Sequence, residues 1–511
     1  MRESCRGKVY LIGAGPGDPG LITVKGMQAL QMADVVVYDY LANPAIIEQA
    51  SPKAELIYAG KRGGHHTLEQ SQINDLLVEK ALAGNVVARL KGGDPFIFGR
   101  GGEEALELAR NGIAFEIVPG VTAAIAAAAY AGIPATHRGI ATSFGMVTGH
   151  EDANKPASEV DWSRLATGTD TLVIYMGMQN IREIIGSMIA AGRDASTPAA
   201  VVSWGTLPRQ RCVTGTLETI ADSTAEAGLG APAIIVVGRV VSLREQLNWF
   251  EKLPLFGKRI MLTRPREQSA EFEAALQRLG AEVLILPTIR IVPLDDFSRI
   301  DAAIAGLASY DWAVFTSVNA VRIFMHRMLD QGKDARSFAA CRIAAIGPAT
   351  ARAIEERFLR VDFIPPDYVA EEFLTSFAQQ HQIRGARFLL PRAEAARPML
   401  VNELQKMGGE ADEVTVYHTL PESDVDPDML QRVIAGGVDV ITFTSASTAR
   451  NFVNLVGKER AVALNRSVGV ASIGPITTQA AREVGLHVAV EAAEHTVEGL
   501  TRAICEHFGQ G

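Results

Sequence analysis

An α/β architecture of several sheet-and-helix units is what this sequence predicts, and three observations predict it. Short Val, Ile and Leu runs alternate with stretches of helical period along the whole chain. With 511 residues, 48% of them hydrophobic, the chain exceeds one ordinary core of about 100–200 residues. Its second half repeats itself at an offset near 128 residues, as where Leu262-Thr263-Arg264 recurs as Leu390-Pro391-Arg392.

Composition narrows the function classes. A net charge of −9 argues against a general nucleic-acid binder, whose phosphate contacts demand a basic surface. Cys5, Cys212, Cys341 and Cys505 are far apart and form no CxxC pair, so neither a zinc site nor a disulfide framework is expected. No metal is expected elsewhere. The apolar runs are too short or too interrupted to span a bilayer, and no secretory pattern opens the chain. A reducing cytoplasm is the expected compartment.

The first strand, Lys8 to Gly13, leads into Gly13-Ala14-Gly15-Pro16-Gly17-Asp18. A dinucleotide fingerprint would need a small residue at Asp18 and a helix opening inside the loop. Pro16, Asp18, Pro19 and Gly20 instead predict extended chain, with the helix starting near Thr23. A second strand, Asp34 to Asp39, ends on an acid, and a third run, Val86 to Lys91, opens the stretch Lys91-Gly92-Gly93-Asp94-Pro95-Phe96-Ile97-Phe98-Gly99-Arg100. Glycine at that density after a strand permits positive φ and close approach of a ligand to the backbone. Phe115 to Pro119 then runs into Gly120-Val121-Thr122-Ala123, where Thr122 stands as a helix cap. Ala233 to Val241 closes the first half, a polar helical piece covers Leu243 to Phe250, and residues 251–257 are expected to be a linker.

From about residue 7 to 250 the chain resembles uroporphyrinogen-III C-methyltransferase, through GAGPGD, VVVYD, GKRGGHH, the long stretch from Arg89 to Glu104, PGVTAA, THRG, VTGH and YMGM. The resemblance implies two α/β lobes, divided near 120–140, with S-adenosylmethionine between them and a homodimer formed through this half. It places cofactor contacts on Pro16, Gly92, Gly93, Asp94, Ile97, Thr122, Ala123, Met176 and Gly205. An acidic Asp94 suits a cationic ligand, and Met176 would give soft apolar packing. It also implies Asp39 as proton acceptor and Lys61 as proton donor. Asp39 equally occupies the place where a dinucleotide protein binds ribose, so that role stays open. The implied substrate, uroporphyrinogen III, is a polycarboxylate, which makes Arg62, Arg100, His137 and Arg138 candidate contacts. His65 and His66 lie in a glycine-rich loop without further metal ligands.

In the second half Phe315-Thr316-Ser317 recurs as Phe443-Thr444-Ser445, and Ile346-Gly347-Pro348 as Ile473-Gly474-Pro475. Such pairs read both as helix caps and as ligand contacts, since capped helix starts at strand ends are where α/β proteins bind ligands. Thr316, Ser317, Thr444 and Ser445 are therefore candidate carboxylate contacts. Tyr417 stands where the first copy has Ile289, which breaks the repeat in favour of a phenol able to hydrogen-bond a leaving hydroxyl.

These residues make the chain from Gly257 to about His507 resemble uroporphyrinogen-III synthase. The resemblance implies a cofactor-free cyclisation of hydroxymethylbilane with Tyr417 assisting loss of water. It also implies two similar parallel α/β domains joined by two strands and interleaved in sequence, about 258–291 plus 420–511, and 292–419. Three other readings compete: a nicotinamide-dependent oxidoreductase, which Asp18 disfavours, a methyltransferase for a later precorrin, and a second half that only binds or senses tetrapyrroles.

Overall fold

The computed structural model describes residues 7–60, 68–149, 160–366, 370–394, 396 and 398–509. The chain divides into two compact units, Met1–Lys258 with Leu279–Glu282, and Arg259–Arg278 with Val283–Gly511.

Unit 1 contains two sheets. The first is built from β1 (Lys8–Gly13), β2 (Val35–Tyr38), β3 (Glu55–Tyr58), β4 (Val86–Lys91) and β5 (Ala114–Val118), in the order β3-β2-β4-β1-β5. All its pairings are parallel. Its strands are apolar on both sides because both faces are covered. Val9, Leu11, Val35 and Val37 pack into one core, and Ile12, Ala14, Val36 and Leu90 into another. The helix Gln70–Leu82 buries Ile73, Leu77 and Ala81, one residue per turn. Helix Val24–Gln31 begins where the sequence predicts, with Thr23 Oγ1 accepting from Gly26 N–H at 3.0 Å. The loop before it is not wholly extended, since Pro19–Leu21 forms a 3₁₀ turn capped by Asp18.

The second sheet runs β6 (Phe144–Thr148), β7 (Thr171–Tyr175), β8 (Pro198–Ser203), β9 (Arg211–Thr216) and β10 (Ala233–Val237), in the order β6-β7-β10-β8-β9. Only β6 and β7 pair in parallel; β10 returns antiparallel between β7 and β8, and β9 is an antiparallel edge. The last strand stops at Val237 because Gly238, at φ 149°, turns the chain into the 3₁₀ helix Arg239–Leu243. Residues 251–257, expected as a linker, form a packed corner. Leu255 is fully buried, and the Phe250 and Phe256 rings lie 5.2 Å apart.

Unit 2 carries β11 (Arg259–Leu262), β12 (Glu282–Ile285), β13 (Ile289–Pro293), β14 (Trp312–Phe315), β15 (Arg342–Ala345), β16 (Arg387–Ala393), β17 (Glu410–Pro421), β18 (Val440–Phe443), β19 (Gly469–Ser472) and β20 (Val490–Glu491). They form two sheets, ordered β12-β11-β18-β19-β20 and β13-β17-β16-β14-β15. The repeat explains the pattern. The first strand of each copy, β11 or β16, joins the sheet made by the later strands of the other copy. Four strands of each sheet keep one order with the copies exchanged, β12-β11-β18-β19 against β17-β16-β14-β15, and the long β17 pairs in parallel with β16 and antiparallel with β13. Among the described residues no helix is long and apolar enough to cross a membrane.

Candidate functional site

In unit 1 the loops after six strands converge, and glycine allows the contact. A Cβ on Gly13 would lie 2.5 Å from Gly120 Cα and 2.7 Å from Gly93 O, so three backbones meet where no side chain fits. Gly93 N–H donates to Gly15 O at 2.7 Å, and Gly15 N–H to Gly93 O at 3.2 Å, with both residues at positive φ. Asp94 fastens the crossing: its Oδ1 accepts from Phe96 N–H at 2.8 Å and its Oδ2 from Gly120 N–H at 2.9 Å. Each carboxylate oxygen keeps a lone pair for a ligand.

The loop after β1 is tied to the second sheet through Asp18. Its N–H donates to Thr206 Oγ1 at 3.0 Å, and Tyr130 OH donates to its Oδ2 at 2.6 Å. Burial, then the hydrogen bond to Asp18, push the Tyr130 phenol up. Gly205 presses on Ala127 of the helix Ala123–Tyr130, leaving no room for a Cβ.

Thr122 occupies the cap position of that helix, but its side chain makes no capping bond. The helix is capped at the residue the sequence predicts, and the side-chain bond alone is missing. Tyr175 OH takes the Ala124 N–H at 2.7 Å and meets Thr122 Oγ1 at 2.5 Å, so a phenol from the end of β7 performs the capping. Burial raises the Tyr175 pKa. The adjacent Met176 does not fill a core: it is 49% exposed, with φ at 53°.

Backbone strain concentrates on these loops. Of six described non-glycine residues at positive φ, five are Phe98, Arg100, Met176, Trp204 and Thr206. Each costs about 1–3 kcal/mol and persists only where its surroundings hold it, as at ligand-binding sites.

Asp39 follows β2 and is partly open to solvent, with Oδ1 accepting from Leu41 N–H at 3.1 Å. Its Oδ2 lies 3.4 Å from Arg89 Nη2. Arg89 belongs to a buried charge group. Glu104 Oε1 accepts from Arg89 Nε at 3.1 Å, Lys91 Nζ at 2.8 Å and Gln70 Nε2 at 3.2 Å. Burial, then the nearby Arg89 cation, lower the Lys91 pKa.

Of the other candidates, Pro16, Gly92 and Ile97 are half-buried on the converging loops, and Ala123 opens the helix. Arg100 stands on the glycine-rich loop with its Nε and Nη2 donating to Glu103, at 2.8 and 2.7 Å. His137 and Arg138 are exposed on a turn closed by paired backbone bonds between His137 and Ala141. Lys61 and Arg62, with His65 and His66, lie outside the described residues.

In unit 2, Ser317 and Ser445 are helix caps: Ser317 Oγ accepts from Ala320 N–H at 3.1 Å, and Ser445 Oγ from Thr448 N–H at 3.3 Å. Thr316 and Thr444 precede them, half-buried at the carboxyl ends of β14 and β18. Tyr417 is 5% exposed, and its phenol reaches Ser317 Oγ at 3.1 Å. A cavity of about 770 Å³ opens beside its neighbour Pro293 and is lined by Arg266, Arg290, Arg322 and Arg327 among others.

Sequence reasoning missed Tyr175, Thr206 and the group of Arg89, Lys91 and Glu104. The Glu104 signal was present: it falls with Gly101, Ala105 and Leu108 on the buried stripe of the helix Gly101–Arg110.

Residues 8–221 match the family described as Tetrapyrrole (Corrin/Porphyrin) Methylases, and residues 270–502 that described as Uroporphyrinogen-III synthase HemD. A porphyrin biosynthesis protein HemD of Ruminiclostridium josui is 38% identical over 503 residues, covering 98% of both chains. A uroporphyrinogen-III C-methyltransferase of Bacillus subtilis (strain 168) is 43% identical over 361 residues, 71% of this chain and 74% of its own. Among solved structures, a uroporphyrin-III C-methyltransferase from Thermus thermophilus complexed with S-adenyl homocysteine is 39% identical. It covers 46% of this chain and 100% of its own, with a TM-score of 0.41.

Proposed function

The chain belongs to the family of tetrapyrrole-biosynthesis proteins that join a tetrapyrrole methylase to a uroporphyrinogen-III synthase, and we propose that it performs both reactions in succession. The second half closes hydroxymethylbilane to uroporphyrinogen III, and the first half methylates that product twice to precorrin-2. Residues 1–250 and 258–511 would be the two enzymes, working in the cytoplasm, the first also forming a homodimer.

The convergence of strained and glycine loops in unit 1 carries the methyl-transfer reading. A cradle in which Gly13, Gly93 and Gly120 exclude side chains suits a ligand held by main-chain groups. Pro16, Gly92, Gly93, Asp94, Ile97, Thr122, Ala123, Met176 and Gly205 would hold S-adenosylmethionine there. When bound, this cofactor supplies an electrophilic methyl group on a sulfonium. Asp94 offers negative charge on a fixed loop, and the exposed Met176 a polarisable surface. Asp39, steadied by Arg89, takes the proton that the methylated ring must lose. Lys61 returns a proton, while Arg62, Arg100, His137 and Arg138 meet substrate carboxylates.

The cyclase is proposed to act by positioning, because the free bilane closes wrongly unaided. Substrate would occupy the cavity of unit 2, whose lining sets Arg266, Arg290, Arg322 and Arg327 beside the acids Glu267, Asp330, Glu422, Asp424 and Asp426. Thr316, Ser317, Thr444 and Ser445 would guide carboxylates, and the Tyr417 phenol, held by Ser317, would hydrogen-bond the departing hydroxyl.

Thermal unfolding with added ligand tests the cofactor assignment. A ligand at 100 times its Kd adds about 2.7 kcal/mol, so S-adenosylmethionine should raise the midpoint by several degrees and a nicotinamide dinucleotide should not. The reverse pattern would overturn the methyl-transfer reading.

A further inference from the structure

The duplication in unit 2 is unequal in its buried charges. Arg392, near the end of β16, is 5% exposed, with Nη1 2.9 Å from Glu413 Oε1 on the adjacent β17. That arginine has its counter-ion inside the protein. The equivalent residue in the first copy is Arg264, two positions past β11.

The position matching Glu413 is Ile285, at the end of β12. The backbones fix this equivalence, since Glu282 N–H donates to Lys258 O in one copy and Glu410 N–H to Ala386 O in the other, at 2.8 and 2.9 Å. The first copy therefore keeps the arginine and replaces its acid with an apolar residue, Ile285, which lines the 770 Å³ cavity together with Pro265 and Arg266, while Arg264 stands one residue outside that lining.

Arg264 is half-buried and, among the described residues, makes no hydrogen bond or ion pair. Glu271, the acid whose charge it senses, lies 3.7 Å from Arg352 instead. Burial lowers the Arg264 pKa. The backbone before it is rigid: Thr263 is fully buried, its Oγ1 donates to Thr442 O at 2.7 Å, and its carbonyl accepts from Thr288 N–H at 3.1 Å. β11 leads to β12 on one side while the neighbouring β18 leads to β19 on the other, so Arg264 stands where strand order diverges, the usual ligand crevice of such sheets. An unpaired, partly desolvated cation is costly, and among the described residues only the more distant Glu271 charge acts against that cost.

We infer that Arg264 anchors a carboxylate of the linear tetrapyrrole substrate, doing for the ligand what Arg392 does for Glu413. The guanidinium fork takes a carboxylate in two parallel hydrogen bonds, and the first copy's missing acid leaves that fork free. This assignment rests on the cyclase reading.

The test uses the full chain with hydroxymethylbilane and compares Arg264→Met, Ile285→Glu and Ile285→Gln. Arg264→Met should raise KM about tenfold or more and leave kcat within about twofold. Its thermal midpoint should stay level or rise, because an unpaired cation is removed while the aliphatic stem remains. Ile285→Glu should reproduce the KM increase by pairing Arg264 internally, and Ile285→Gln should not. An unchanged KM in Arg264→Met or Ile285→Glu overturns the assignment, as does a KM rise accompanied by a falling midpoint, the mark of a structural arginine. A wild-type chain that leaves the bilane to close at the buffer rate overturns the cyclase reading itself, and the assignment with it.

Discussion

Replacing Glu104 with glutamine removes the only carboxylate among the described residues that touches both Arg89 and Lys91, at 3.1 and 2.8 Å. All three residues are less than 5% exposed, so two cations would be left in the interior with only Asp39, 3.4 Å from Arg89, for partial compensation. Breaking a buried pair from one side costs about 3–5 kcal/mol. For a unit of this size about 2–4 °C is lost per kcal/mol, so the midpoint of unit 1 should fall by roughly 10 °C at neutral pH.

The deficit should also depend on pH. Lys91 has its folded pKa lowered from 10.5 by burial first and Arg89 second, with Glu104 acting in the opposite sense. The unfolded chain therefore binds more protons between the folded pKa and 10.5, and stability rises with pH across that window. Loss of Glu104 lowers the folded pKa further and widens the window, so the variant should regain part of its deficit as pH climbs from 7 towards 10. Calorimetry and far-UV circular dichroism across that range measure both effects. A midpoint shift below about 2 °C, or a deficit that does not shrink with rising pH, would refute the buried-charge account.

Tyr175→Phe leaves the Ala124 N–H without its acceptor; about 1–2 kcal/mol of stability and several-fold in S-adenosylmethionine affinity should go, and titration calorimetry showing neither would remove Tyr175 from the site. Asp39→Ala should slow methylation by about 100-fold while S-adenosylmethionine affinity stays near normal. A large loss of affinity would assign Asp39 to ribose instead. Tyr417→Phe should slow cyclisation at least about tenfold with little change in midpoint, since Ser317 keeps its bond to Ala320 N–H. Unchanged turnover would exclude the phenol from the reaction.

The converging loops of unit 1 could be read from sequence because glycine has few other uses at that density. Gly13, Gly93 and Gly120 stand at strand ends, and the structure brings their backbones into contact. Tyr175 could not be found that way: a tyrosine closing the apolar strand Thr171–Tyr175 looks like core, and only the fold places its hydroxyl over the first turn of another helix. Arg89, Lys91 and Glu104 were hidden by the ordinary expectation that charges face water. In unit 2 the repeat was plain, but it also fits two tandem domains. The exchange of β11 and β16 between sheets is a tertiary choice, visible once their neighbours β18 and β14 are known. Ser317 and Ser445 show the same limit, since a cap and a ligand contact look alike until partners are seen.

Two successive steps on one chain are what the proposed function requires. Chromatography that separates the isomers, coupled to mass spectrometry, of the products formed from hydroxymethylbilane and S-adenosylmethionine by the intact protein tests this most directly. A cyclic tetrapyrrole of the III isomer carrying two added methyl groups is the predicted product. Unmethylated I-isomer porphyrinogen, the product of unassisted closure, would contradict it.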